Sequence, residues 1–430
     1  MSMETIVSNH NKSSDVVILK KMLNDLKYDL NNFDKLLKLQ FKILSCIMRS
    51  ERKIKHLKKD SANLRSVLKK SRLPKEQSLA VKDKIKIITE MISSEKFKIY
   101  TYKMFGDAVA FLYIDKYTVK QLYYNVHNYQ VKEQSGDLGG KSGLREEWGY
   151  VRFACQNKIP ALLHDITMSI RHGDVSLLGR DEPFILEVKS SSNANKRVER
   201  QKSNLAKLGR FIENDEAENF RGISLLKRES LLTEEVTYSH VLNDCLNDCR
   251  TKGMALAEVE KGFYICAVRQ GSMISLFESM GFNEENEILP IFLNQYKNNG
   301  EWMPLTPFTL LLNDPYDLND FIDGELTIAC FLKIDEFKKM AMALGYELVF
   351  SLDDEFSILF KAIGEDVIFG VSWQMLLRVP LEMMSMSWLI KESIGKYENT
   401  LEISNRNKFI NERPTINNTM FERFRSLFTH

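Results

Sequence analysis

From Asp15 to Leu73 the chain contains neither proline nor glycine, and Pro74 is the first residue to interrupt it. Within that stretch Leu19, Met22, Leu23, Leu26, Leu30 and Phe33 recur at three- and four-residue steps, the spacing of a helix that buries one face. A run this long with no breaker predicts one or two helices of unusual length. A further helix is expected from about Lys75 to Tyr100. The segment RSERKIKHLKKD, residues 49–60, packs basic residues densely. It reads either as a solvated helix face or as a stripe that meets nucleic acid.

The charge is unevenly spread. Residues 1–100 carry 23 Lys and Arg against 11 Asp and Glu, a net +12, whereas residues 271–430 carry 13 against 24, a net −11. Such a division suggests a basic arm whose partner is a polyanion or the chain's own acidic part. At 430 residues there is room for two or three domains with sizeable cores. No apolar run long enough to span a bilayer occurs, and MSMETIVSNHNKSSD lacks the pattern of a signal peptide. Six scattered cysteines, of which only Cys245 and Cys249 are close, read as free thiols. A reducing, cytoplasmic compartment fits them.

The rest of the chain suggests mixed secondary structure. AVAFLYIDKY (108–117) is expected to be a strand entering a short helix, and VKEQSGDLGGKSG (131–143) a loop. A helix is expected over 143–157 and another over 195–213, then a polar irregular stretch to about Val241. GFYICAVR (262–269) reads as a strand, and the last 160 residues as an α+β unit. The expected division is a basic helical region over 1–100, a middle domain over 101–270 and an acidic α+β domain over 271–430.

The chemistry concentrates in HGDVSLLGRDEPFILEVKSS, residues 172–191. The chain has three E-x-K triplets, Glu51-Lys53, Glu187-Lys189 and Glu336-Lys338, and only the second ends a β-like run. Side chains on a strand alternate, so Glu187 and Lys189 share a face while Leu186 and Val188 turn toward the core. Asp174 opens the preceding strand, DVSLL, and GRDEP can close a hairpin between the two. Antiparallel pairing then brings Asp174 opposite residues 187–189. Two carboxylates and an ammonium meet at one end of a hairpin.

This arrangement resembles the PD-(D/E)XK nuclease superfamily, whose restriction-endonuclease-like core runs αβββαβ. The helix over 143–157, the strands in IPALLHDIT, DVSLLG and PFILEVKS, the helix over 195–213 and a closing strand in GFYICAVR follow that order. The resemblance covers roughly residues 140–270 and sets the family's motif on Asp174, Glu187 and Lys189, with Gly173 where Pro is usual. It also implies an extra carboxylate on the first helix. Glu147 interrupts the apolar stripe of Leu144, Trp148, Val151 and Cys155 and is the expected one, with Glu146 in reserve. On the next helix Gln201 shares a face with Val198, Leu205, Leu208 and Ile212, which turns it toward the sheet.

The resemblance implies a metal-dependent nuclease, acting foremost on DNA. Mg²⁺, or Mn²⁺ in its place, would be held by Asp174, Glu187 and the Val188 carbonyl. Lys189 would orient or help deprotonate the attacking water, and Glu147 and Gln201 would complete the site. The alternative is a nuclease-like fold that binds nucleic acid or protein without cutting. The partners implied are nucleic acid and a second copy of the chain through the N-terminal helices, with no membrane. Large flanks around such a core are similar to those of bacterial phage-defence effectors.

Other signals are weaker. GDLGGKS resembles a phosphate-binding loop, but Ser135 stands where G-x-x-x-x-G-K-[ST] needs its first glycine. His164 with Asp165, and His172 with Asp174, suit turn histidines better than a transition-metal cluster, although His172 can still reach a substrate phosphate.

Overall fold

The computed structural model describes residues 14–70, 73–133, 136–141, 143–178, 182–188, 196–270, 287–298, 300–351, 356–364 and 367–407. The polar start of the chain, residues 1–13, and Lys189, Ser190 and Ser191 lie outside them. The chain forms two compact units, 1–228 with 300–319, and 229–299 with 320–430. Both mix helices with small antiparallel sheets.

The first unit opens with α1 (Asp15–Tyr28), whose first turn is capped by Ser14 Oγ accepting from the Val17 amide at 3.3 Å. Helices α2 (Phe33–Lys70) and α3 (Lys75–Tyr113) pack side by side, joined by a short connection as a helical hairpin. Leu36, Leu39, Ile43, Ile47 and Ile54 of α2 are buried at the spacing of one helix face.

The segment 108–117 departs from expectation. It continues α3 to Tyr113 and is not a strand. Residues Thr101–Ala110 are buried on every side, so the hydrophobic run reflects a helix enclosed all round. Gly106 permits this, because a Cβ there would collide with the Ile166 backbone. One residue on, the fully buried Asp107 accepts from the amides of Met168 (3.0 Å) and Ser169 (2.8 Å), tying the helix to the turn before the site. Burial pushes its carboxyl up to about 6 against those bonds.

After α4 (Lys116–Tyr123) and α5 (Leu144–Gln156) come three short strands, β1 (Ala161–Leu163), β2 (Val175–Leu177) and β3 (Phe184–Leu186), in the order β1-β2-β3. Gln40 of α2 donates to Ala161 O at 2.8 Å and accepts from Leu163 N at 3.0 Å, satisfying the free edge of β1. Those bonds explain why no boundary falls near residue 100: the N-terminal helices and the sheet belong to one unit.

Helix α6 (Lys196–Asn214) leads to a hairpin, β4 (Glu216–Phe220) and β5 (Ile223–Lys227), where an irregular stretch was expected. Its two turn residues, Arg221 and Gly222, both have positive φ, +58° and +78°. An arginine adopts that conformation here because its buried guanidinium is held by Asn125 O and Gln121 O, each at 2.8 Å, among the rings of Tyr124, Tyr129 and Phe220.

The second unit holds α7 (Ser239–Lys252) and a four-stranded sheet of β6 (Met254–Glu260), β7 (Phe263–Val268), β8 (Ile288–Phe292) and β9 (Thr327–Lys333), ordered β6-β7-β9-β8. GFYICAVR therefore lies in this sheet as β7 and does not close β1-β2-β3 as expected. The tight connection through Lys261 and Gly262 (φ +87°) turns the chain straight back from β6, so β7 pairs with its neighbour in sequence. The expected boundary at residue 270 falls inside this unit. Helix α8 (Ile334–Ala343), the sheet of β10 (Tyr346–Phe350), β11 (Phe356–Ala362) and β12 (Ile368–Ser372), and helix α9 (Met386–Asn407) belong to it as well. All six cysteines are free and buried, and among the described residues no helix is long and apolar enough to cross a membrane.

Candidate active site

Strands β2 and β3 pair with Val175 opposite Leu186, so Asp174 stands across from Glu187 one step beyond the ladder. The Asp174 amide donates to Leu186 O at 2.8 Å, and the Val188 amide donates to Asp174 Oδ2 at 2.8 Å. Gly173 makes that approach possible. Its φ is +73°, and a Cβ there would stand 2.8 Å from Leu186 O and press into Ile185. Proline, fixed near φ −65°, cannot take that conformation.

Strand β3 is less buried than its apolar sequence suggests. It is the edge of the sheet, Phe184 is 61% exposed, and Leu186 and Val188 are only partly covered. Phe184 and Ile185 border a surface groove of about 1110 Å³ that Ile159, Leu205 and Ile212 also line.

Glu187 faces α6, where Gln201 Nε2 donates to its Oε1 at 2.9 Å. On α5 Glu147 is buried, 2% exposed, while Glu146 is exposed, so burial separates the two candidates. Lys189 is outside the described residues, and nothing described bears on the Val188 carbonyl.

Sequence reasoning missed the residue that joins the carboxylates. Lys141 Nζ lies 2.8 Å from Glu147 Oε2, 2.7 Å from Asp165 Oδ2 and 3.4 Å from Asp174 Oδ1. It is delivered by the glycine-rich loop, which Glu51 of α2 grips by accepting from the Leu138 and Gly139 amides at 2.9 and 2.7 Å. GDLGGKS drew notice as a phosphate loop; its lysine serves instead as the countercharge. Asp165 was visible only as a neighbour of His164.

The electrostatics follow. Burial works against the Lys141 ammonium, yet the hydrogen bonds to Asp165 and Glu147 hold its pKa above the ordinary lysine value. Burial, with the charges of Asp174 and Asp165, pushes Glu147 up to about 7 against the pull of Lys141. One ammonium is thus shared among three carboxylates.

The two histidines have separate settings. His164 is buried with Nε2 2.7 Å from Ser176 Oγ, and burial lowers it to about 4. His172, 2% exposed, has Nε2 2.8 Å from Tyr124 O and Nδ1 3.3 Å from Lys132 Nζ. Burial and the Lys132 charge lower it to about 3.

Among the described residues no three His, Cys, Asp or Glu side chains are grouped as a ready-made metal ligand set. The point on which Glu147, Asp165 and Asp174 converge belongs to Lys141. The donor chemistry nevertheless suits a hard cation, because Glu147, Asp165, Asp174 and Glu187 all offer carboxylate oxygens. Comparison with family models, with curated proteins and with solved structures found no match.

Proposed function

We propose that the chain is a metal-dependent nuclease that hydrolyses phosphodiester bonds, foremost in DNA. The observation that carries this reading is the meeting of Asp174, Glu187 and Gln201 at one end of the β2–β3 hairpin, with Glu147 brought to the same acidic cluster by α5. The order α5-β1-β2-β3-α6 matches the first five elements of the αβββαβ core, without the closing strand in that sheet.

On this reading Asp174, Glu187 and the Val188 carbonyl would hold Mg²⁺ or Mn²⁺, with Glu147 beside them. When bound, the ion polarises the phosphate and lowers the pKa of a coordinated water. Gln201 fixes the Glu187 carboxylate, the Val188 amide fixes that of Asp174, and Lys189 orients the attacking water. The net +12 of residues 1–100 supports a polyanionic substrate, and the six free cysteines support a reducing, cytoplasmic setting. A role in bacterial defence against phage rests on architecture alone.

The test is to incubate the protein with supercoiled DNA, linear DNA and RNA, in Mg²⁺, Mn²⁺ or chelator, beside Glu187→Ala and Lys189→Ala. Metal-dependent cutting that both substitutions abolish is the expected result. Cutting that survives both would remove the assignment.

One observation favours a second reading, a module that binds nucleic acid or protein without cutting: Lys141 already neutralises the carboxylates. A protein that neither cuts nor binds Mn²⁺, measured by calorimetry and by electron paramagnetic resonance, would be this module.

A further inference from the structure

Lys132 is a second cation at the site, outside both the E-x-K motif and the carboxylate cluster. Its backbone is fastened on both sides: its amide donates to Tyr123 O at 3.2 Å, and Arg171 Nη1 donates to its carbonyl. Tyr124 and Val131 form a bridge beside it, and the Arg171 amide donates to Leu122 O at 3.1 Å. The segment carrying Lys132 is thereby held to the segment that runs into Asp174.

The side chain is held as firmly, by an unusual acceptor. A carbonyl oxygen only accepts, so the contact between His172 Nε2 and Tyr124 O requires the proton on Nε2. In that neutral tautomer Nδ1 carries a lone pair, and the Lys132 ammonium donates to it at 3.3 Å. A buried neutral histidine thus aims a lysine without cancelling its charge. The carboxylates that act electrostatically on that ammonium are Glu187 and Asp174. Among the described residues its ammonium bonds only His172, which leaves two of three donors for a ligand.

We propose that Lys132 binds the substrate's phosphate group, donating to a non-bridging oxygen beside Asp174 and Glu187, with His172 as its positioning residue. The inference rests on the nuclease reading for the substrate, but not on cutting. A surface salt bridge would need neither the histidine tautomer nor the doubly fastened backbone.

The test is binding of a short fluorescein-labelled DNA duplex, followed by anisotropy across a salt series, in Ca²⁺ and in chelator. Lys132→Met should weaken binding about tenfold and reduce the slope of log affinity on log salt by about 0.9, the signature of one lost phosphate contact. Lys132→Arg should keep most of both. His172→Phe keeps the ring's shape but offers Lys132 no acceptor in place of Nδ1, and should weaken binding with Lys132 still present. If cutting is never seen but these changes appear, the nuclease reading fails and the phosphate site stands. Overturning results are Lys132→Met binding with wild-type affinity and slope at an unchanged melting temperature, or no duplex binding by the wild type in either buffer. Should Lys132→Met fail to fold, Lys132→Arg and His172→Phe carry the test, and wild-type binding by His172→Phe overturns it.

Discussion

Gln201 Nε2 donates to Glu187 Oε1 across 2.9 Å, a bond that joins α6 to the end of β3. An amide in this position fixes one oxygen of the Glu187 carboxylate. Gln201→Ala is expected to lower cutting about 10–100-fold and to weaken divalent binding, as losses of supporting bonds at metal sites do. Gln201→Glu should be worse than Ala at neutral pH, since it sets a like charge against Glu187. Cutting by Gln201→Ala within twofold of wild type, at equal metal affinity, would remove Gln201 from the site.

Gly173 at φ +73° makes a second prediction independent of any catalytic role. Alanine there meets the left-handed penalty and the Leu186 carbonyl together, an expected loss of about 2–3 kcal/mol in urea unfolding. Gly173→Pro should be more damaging because its φ is fixed with the opposite sign. A loss below about 0.5 kcal/mol for alanine would mean that the hairpin does not depend on this turn.

These two sites show what the sequence made legible. Periodicity exposed Gln201 and Glu147, because a polar residue inside an apolar helical stripe has to face something. Strand alternation led to Asp174 across from Glu187 for the same local reason. What stayed hidden depends on long-range contact. Lys141 and Asp165 meet only once the glycine-rich loop is gripped by Glu51, 87 residues upstream of Leu138. The run AVAF has no period that separates an enclosed helix from a strand, and the Arg-Gly turn of β4–β5 works only inside its ring of aromatic side chains. GFYICAVR was legible as a strand, but its partner was set by the tight turn from β6.

Lys141→Met tests how the acidic cluster is held together. Removing the shared ammonium leaves Glu147, Asp165 and Asp174 without it, and a loss of roughly 2 kcal/mol is expected in chelator, at the low end for breaking a buried ion pair because Lys141 is partly exposed. If a divalent ion can replace it, Mg²⁺ should raise the melting temperature of the variant more than that of the wild type. Adding Glu147→Gln should recover part of the loss, since the two residues touch. A variant as stable as wild type in chelator, with no gain from Mg²⁺, would show that Lys141 is not the countercharge.

Lys20 gives a pH prediction far from these carboxylates. It is 1% exposed, donates to Thr309 O at 2.7 Å, and burial lowers its pKa from 10.5 to about 7. Between those values the unfolded chain binds a proton that the folded chain lacks, so this residue makes stability rise with pH from about 7 to 10.5. Its cost is fully present below pH 7. Lys20→Met removes that cost while leaving Thr309 O without the lysine donor, so the variant should be more stable by roughly 2–3 kcal/mol at low pH. The advantage should shrink steadily in urea unfolding at about pH 6.5, 8 and 9.5. A constant difference across that series, or a variant less stable than wild type at its acidic end, would mean that Lys20 keeps its charge in the core through its bond to Thr309.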